Sequence, residues 1–131
     1  MNNKHIIAHM KSAFNYAECS TAEKMKVGCV LVKYDRIISI GYNGMPAGWT
    51  NQCETLSFFN EFGKQVPHPI LVTKPEVLHA EENAITKLAR SNESGDGATA
   101  FITHSPCLSC AKLLYSAGII EVYYTHKYWN T

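Results

Sequence analysis

Apolar positions along the chain follow two rhythms, and each predicts a different element. Between residues 4 and 18, Ile6, Met10, Ala13, Phe14 and Ala17 recur at the spacing of one helical face, which predicts a helix. Val27 to Lys33 is rich in β-branched residues and predicts a strand. Ile37 to Tyr42 predicts a second strand, and Tyr34-Asp35-Arg36 between them predicts a hairpin turn. From 43 to 78 neither rhythm holds. Gly44, Pro46, Gly48, Gly63, Pro67, Pro69 and Pro75 punctuate the stretch, and a long irregular connection is expected there. Connections of that length in a compact domain are usually functional. Helical order returns at 79–90, with Ala80, Ala84, Ile85, Leu88 and Ala89 available for burial. Ser91 to Gly97 reads as a turn, Ala98 to Thr103 as a strand, and Cys107 to Ala117 as a helix closed by Gly118. Ile119 to Tyr124 is the last predicted strand. The closing strand–helix–strand unit points to parallel pairing.

Composition narrows the class. The 131 residues are 46% apolar and 18% charged, enough for one core and unlike a disordered chain. No repeat or domain boundary is visible, so residues 1–131 are expected to form a single domain. Twelve basic and eleven acidic residues give a formal net charge of +1. A nucleic-acid binder usually carries a basic excess that neutralises phosphates; its absence here favours a small-molecule substrate. No apolar signal-peptide core opens the chain and no run approaches a membrane span, so a soluble cytoplasmic protein without a membrane partner is expected. Five cysteines are an odd number and are not spaced as a disulfide framework. Cys29 lies in an apolar strand and reads as a small core residue.

The chemistry concentrates in two segments, Leu78-His79-Ala80-Glu81 and Ser105-Pro106-Cys107-Leu108-Ser109-Cys110. Cys107 and Cys110 are three apart at a helix start, so both thiols face one side. The positive end of the helix dipole favours their thiolates. Two thiolates and the His79 imidazole make three protein ligands, which leaves one position of a tetrahedral zinc open for an activated water. Glu81 is then the carboxylate that moves protons as a general acid and base. Taken alone, the cysteines equally suit a redox pair or half of a structural zinc site, and Glu81 suits an ordinary helix-start carboxylate. The pairing His-x-Glu with Pro-Cys-x-x-Cys is the one zinc base deaminases carry. From His79 to Cys110 the chain resembles the cytidine deaminase-like superfamily.

A narrower resemblance covers most of the chain. Lys26-Val27-Gly28-Cys29-Val30-Leu31-Val32, followed by Gly41-Tyr42-Asn43-Gly44-Met45-Pro46-Ala47-Gly48, is similar to the deoxycytidylate (dCMP) deaminase family. So are the long insertion from about Met45 to Leu78 and the Cys53-Glu54 pair inside it. The resemblance implies a three-layer α/β/α fold with a mixed sheet of four to five strands flanked by helices. It implies hydrolysis of dCMP to dUMP and ammonia, supplying dUMP for thymidylate synthesis. It implies that Asn43 bonds the sugar hydroxyl, that the Ala80 backbone reads the base edge, and that Lys26 is the candidate for the 5′-phosphate. It further implies a homo-oligomer, a hexamer in many relatives, activated by dCTP and inhibited by dTTP. The effector would sit near Gly41, Tyr42 and Gly44, with Mg2+ on the triphosphate.

Three features fit this pattern less directly. Many relatives continue past the last strand with another helix and strand, so a four-stranded sheet is expected here, its edge covered by a partner subunit or kept short. The aromatic that contacts the base is open among His104, Tyr123, Tyr124 and Tyr128, and core packing explains a strand tyrosine equally well. Some viral relatives hold a second, structural zinc, and Cys19, Cys53 and His68 sit in comparable places; the alternative is two free cysteines and a surface histidine. The rival functions are a deaminase of tRNA adenosine or single-stranded DNA cytosine, a free cytidine deaminase, and a non-catalytic zinc module that binds nucleotides or a partner.

Overall fold

The structure is a computed structural model that describes residues 1–127. It places nine elements in the order α1 (Asn3–Ala17), β1 (Gly28–Lys33), β2 (Arg36–Tyr42), β3 (Glu54–Phe59), β4 (Gln65–Thr73), α2 (Ala80–Ala89), β5 (Thr99–His104), α3 (Leu108–Ser116) and β6 (Glu121–His126). The main sheet runs β2-β1-β5-β6. β1 pairs antiparallel with both β2 and β5, while β5 and β6 pair in parallel across the α3 crossover. The sheet is therefore mixed and four-stranded, as expected.

Burial explains why β1 and β5 are central. Both are buried along nearly their whole length, the signature of strands covered on both faces. On one face Val30, Val32 and Phe101 pack with Ala13, Ile6 and Met10 of α1. On the other, Cys29, Leu31, Ala100 and Ile102 pack with Ala80, Ala84 and Leu88 of α2 and Leu114 of α3. These are the three layers α/β/α. Cys29 is fully buried, a core residue as its strand context indicated. Phe14 and Ala89, both counted toward buried faces in the sequence, are instead exposed.

Local chemistry fixes the element ends. The Asn2 side chain caps α1 by accepting from Lys4 N at 2.7 Å. Tyr34 and Asp35 both take positive φ, 51° and 59°, so the β1–β2 turn has two residues and Arg36 already belongs to β2. Asp35 accepts from His5, and also from His9 Nε2 at 2.9 Å, pinning the turn to α1. Gly118, at φ 90°, closes α3.

The stretch 43–78 corrects the sequence reading. It is not an irregular connection throughout, because it contains the β3–β4 hairpin, a separate two-stranded sheet. Glu54 to Ser57 pair with Ile70 to Thr73, and Phe59 pairs with Gln65. The register shifts between Ser57 and Phe59, and Pro67 and Pro69 fall opposite that irregularity, where no ladder bond needs their missing N–H. An isolated bridge between Gly44 and Leu78 closes the insertion at its base.

Gly41 sets how closely α2 approaches the sheet. A Cβ there would meet Ala80 O at 2.2 Å and Ala84 N at 2.6 Å, both backbone atoms. Gly41→Ala is expected to push α2 away, destabilising the protein by about 2–3 kcal/mol and displacing residues 79–81 at the helix start. Thermal denaturation and turnover check this; an unchanged melting temperature would show that the helix can shift without strain.

Candidate active site

α2 and α3 lie on the same face of the sheet and begin at the same place. His79 is the N-cap of α2, Cys107 is the N-cap of α3, and Cys110 lies in the first turn of α3. His79 Nδ1 is 3.3 Å from Cys110 Sγ and 3.6 Å from Cys107 Sγ. All three candidate ligand atoms lie within 4.8 Å of one another. A tetrahedral zinc with ordinary Zn–S and Zn–N bonds separates such ligands by about 3.3–3.8 Å, so the residues fit the ion. Nδ1 is the nitrogen that faces the sulfurs. Two helix N-termini converge here, and their dipoles favour the anionic thiolates. Burial, then the nearby Glu81 and Cys107 charges, push the Cys110 thiol up. Its proton must leave when an ion enters, so metal uptake depends on pH.

Glu81 sits one residue inside α2 and is buried, with 4% of its surface exposed. Burial raises its carboxyl above the usual value, against the lowering effects of its backbone hydrogen bond and of His79. Glu82, not Glu81, does the capping: its Oε1 accepts from His79 N at 2.8 Å. Glu81 is thereby left to face the cavity. That cavity, about 300 Å³, is lined by His79, Ala80, Glu81 and Cys107 together with Asn43 and His104. The arrangement suits proton transfer beside a metal in a partly enclosed pocket.

The other expected residues divide. Asn43 lines the cavity, and its side chain also bonds the backbone: Oδ1 accepts from Val27 N at 2.9 Å and Nδ2 donates to Met25 O at 2.7 Å. It stitches the segment before β1 to the end of β2. Asn43→Ala is expected to lower stability by about 1–3 kcal/mol and to raise the KM for a nucleotide substrate. Melting temperature and steady-state kinetics check both; if neither moves, the stitch is dispensable. Lys26 is exposed and does not line the cavity, whereas Lys24 and Met25 do. Tyr42 is half-buried with Lys87 Nζ 5.7 Å from its ring centroid, and Gly44 is held by the bridge to Leu78. Of the aromatic candidates, His104 lines the cavity, Tyr123 stacks on Phe101 in the α1 layer with ring centroids 5.1 Å apart, Tyr124 is exposed, and Tyr128 lies outside the described residues. Cys19 and His68 are exposed and Cys53 is buried beside Thr21. Among the described residues, His79, Cys107 and Cys110 are the one group placed to hold an ion; Cys19, Cys53 and His68 do not form another.

Sequence reasoning missed part of the cavity lining. Lys24, Glu54 and Thr73 also line the cavity. Glu54 Oε2 accepts from Glu23 N at 3.0 Å and Lys24 N at 3.1 Å, so the start of β3 holds the segment that carries Lys24. Nothing in Glu23-Lys24-Met25-Lys26 distinguishes one lysine from the other. The Cys53-Glu54 pair was the available signal, without a role attached.

A model of the cytidine and deoxycytidylate deaminase zinc-binding region matches residues 3–126. The chain belongs to that family. It is a zinc-dependent deaminase, a hydrolase, and the match spans both halves of the metal group. Among its relatives is the deoxycytidylate deaminase of Enterobacteria phage T4, 33% identical over 91% of this chain and 76% of that protein. The Schizosaccharomyces pombe deoxycytidylate deaminase is 36% identical over 91% of this chain and 36% of its own length. The crystal structure of the dCMP deaminase from cyanophage S-TIM5, in complex with dCMP and dUMP, superposes with a TM-score of 0.83. It is 42% identical and covers 98% of this chain and 85% of that one. Among the described residues, no helix is long and apolar enough to cross a membrane.

Proposed function

We propose that this deaminase converts dCMP and water to dUMP and ammonia. The observation that carries the reading is the buried Glu81 carboxyl facing the same cavity as His79 and Cys107 of the metal group. The substrate follows from the T4 and S-TIM5 relatives, both dCMP deaminases by name. Zinc, held by His79 Nδ1 and the two thiolates, would supply an activated water. Glu81 accepts a proton from the attacking water and delivers it to ring N3 as C4 is attacked; it then takes the proton of the new C4 hydroxyl and passes it to the departing amine, leaving a C4 carbonyl and ammonia. The Ala80 backbone meets the base edge, and Asn43, already oriented by Val27 and Met25, meets the sugar hydroxyl.

A cation from the Lys24-Met25-Lys26 segment meets the 5′-phosphate. Lys24 has the better claim, because it lines the cavity and Glu54 fixes its backbone. Lys24→Met is expected to raise the KM for dCMP by about tenfold while leaving deoxycytidine kinetics unchanged. Lys26→Met is the comparison, and a larger effect there would return the phosphate to Lys26.

The reading extends to one deaminase domain in a cytoplasmic homo-oligomer, a hexamer, that supplies dUMP for thymidylate synthesis. The unpaired thiols suit a reducing compartment. Exposed Leu108 and Tyr115 on α3, Tyr124 on β6 and Ile120 in the connection between them offer apolar area to a second subunit. Activation by dCTP and inhibition by dTTP, with Mg2+ on the triphosphate, would act near Tyr42 and Gly44, where Lys87 supplies a cation; Gly41 contributes the close packing of α2.

The test is ammonia release from dCMP, with deoxycytidine, CMP and single-stranded DNA in parallel, each with and without dCTP and Mg2+. Release from dCMP that dCTP increases supports both substrate and regulation. Activity confined to another substrate moves the function to a rival deaminase. Zinc-loaded protein inactive on all four would point to a binding module.

A further inference from the structure

Thr103, the penultimate residue of β5, is fully buried, and its hydroxyl has two partners. Gly28 N donates to Oγ1 at 3.2 Å, and His104 Nδ1 lies 2.8 Å from the same oxygen. If Nδ1 carried the imidazole proton, the hydroxyl would accept twice and its own proton would be buried without an acceptor. Burying an unmatched donor is a substantial cost. The hydroxyl therefore donates to Nδ1, and the proton of the neutral ring sits on Nε2. Burial, then the neighbouring His126, hold the His104 pKa below its usual value, which keeps the ring neutral. His126 stacks on His104 at 5.0 Å and 27°, and Phe14 meets His126 edge-on, so the ring plane is supported from behind. His104 lines the cavity that Glu81 and Asn43 also line.

We infer that His104, set in the Nε2–H tautomer by the Thr103 hydroxyl, is a specificity-determining donor that holds an acceptor oxygen of the bound nucleotide. Thr103 is the positioning residue behind it. The inference rests on dCMP as the substrate and assigns one contact within that site. A neutral donor fixed in tautomer discriminates by geometry, since a buried N–H left without its acceptor penalises ligands that lack the matching oxygen. The oxygen belongs to the base or sugar, or to the phosphate, and the two sources separate by substrate.

Nitrogen-15 NMR on zinc-loaded, ligand-free protein reads the tautomer, with the His104 signals identified by their loss in His104→Gln. The expected result is protonated Nε2 and unprotonated Nδ1. Thr103→Val should abolish that preference, and Thr103→Ser, which keeps the hydroxyl, should retain it even if the valine variant folds poorly. In kinetics, His104→Leu should raise the KM for dCMP about tenfold with kcat changed far less. His104→Gln, whose amide N–H reaches a similar place, should recover most of the loss. An equal loss on deoxycytidine puts the acceptor on the base or sugar; a loss confined to dCMP puts it on the phosphate. A wild-type ring protonated on Nδ1, or an unchanged KM in His104→Leu, overturns the inference. Wild-type protein that turns over no dCMP overturns the substrate reading instead, and the tautomer, read without substrate, still decides the Thr103–His104 step.

Discussion

Glu81→Gln is expected to bind zinc at the wild-type stoichiometry and to deaminate roughly 10²–10⁴-fold more slowly. The amide has nearly the shape of the carboxyl but neither accepts nor returns a proton at neutral pH. Two structural alternatives for Glu81 are already answered by its neighbours. Helix capping falls to Glu82, whose Oε1 takes the His79 N–H. For metal ligation, His79, Cys107 and Cys110 form the group placed to hold an ion among the described residues, and Glu81 is not part of it. Burial works against the charged form of Glu81, so an uncharged amide at this position removes no favourable charge from the fold. The melting temperature of the variant separates a loss of rate from a loss of fold. Turnover of dCMP beside zinc content and melting temperature makes the test, and a near-normal rate would remove Glu81 from proton transfer.

What the sequence made legible follows from how local each feature is. His79 and Glu81 share one helix start, and Cys107 and Cys110 share another, so each half of the site is a few consecutive residues. The β1 and β5 strands were legible because burial on both faces demands an unbroken apolar run. The β3–β4 hairpin was not, because its sides alternate weakly and prolines interrupt β4. Only the pairing of Leu56 with Leu71 and Ser57 with Ile70 makes strands of them, and that is a property of two segments together. Lys24 was hidden for the same reason. Its place in the cavity wall depends on Glu54, thirty residues away in sequence.

That distinction bears on stability as well as on the site. The α1 and α2–α3 layers hold the sheet without reference to any ion, since their contacts are between apolar side chains. The starts of α2 and α3 are different. His79, Cys107 and Cys110 bring together a half-buried thiol, a buried thiol and an imidazole, groups that gain little from one another without a metal between them.

Cys107→Ala should accordingly lose the metal while keeping the sheet. It removes one of three ligands and leaves His79 and Cys110, a pair that cannot enclose a tetrahedral ion. Zinc that binds only the folded state stabilises it by about 4 kcal/mol at a free concentration a thousandfold above its dissociation constant. The variant should therefore melt well below the zinc-loaded wild type, near wild-type protein stripped by a chelator, with no detectable deamination. Metal content after dialysis, and melting curves with and without chelator, separate loss of the ion from loss of packing. A variant that melts far below the stripped wild type would make Cys107 a packing residue in its own right. Wild-type zinc content in the variant would instead break the ligand set, and with it the role drawn here for the two helix starts.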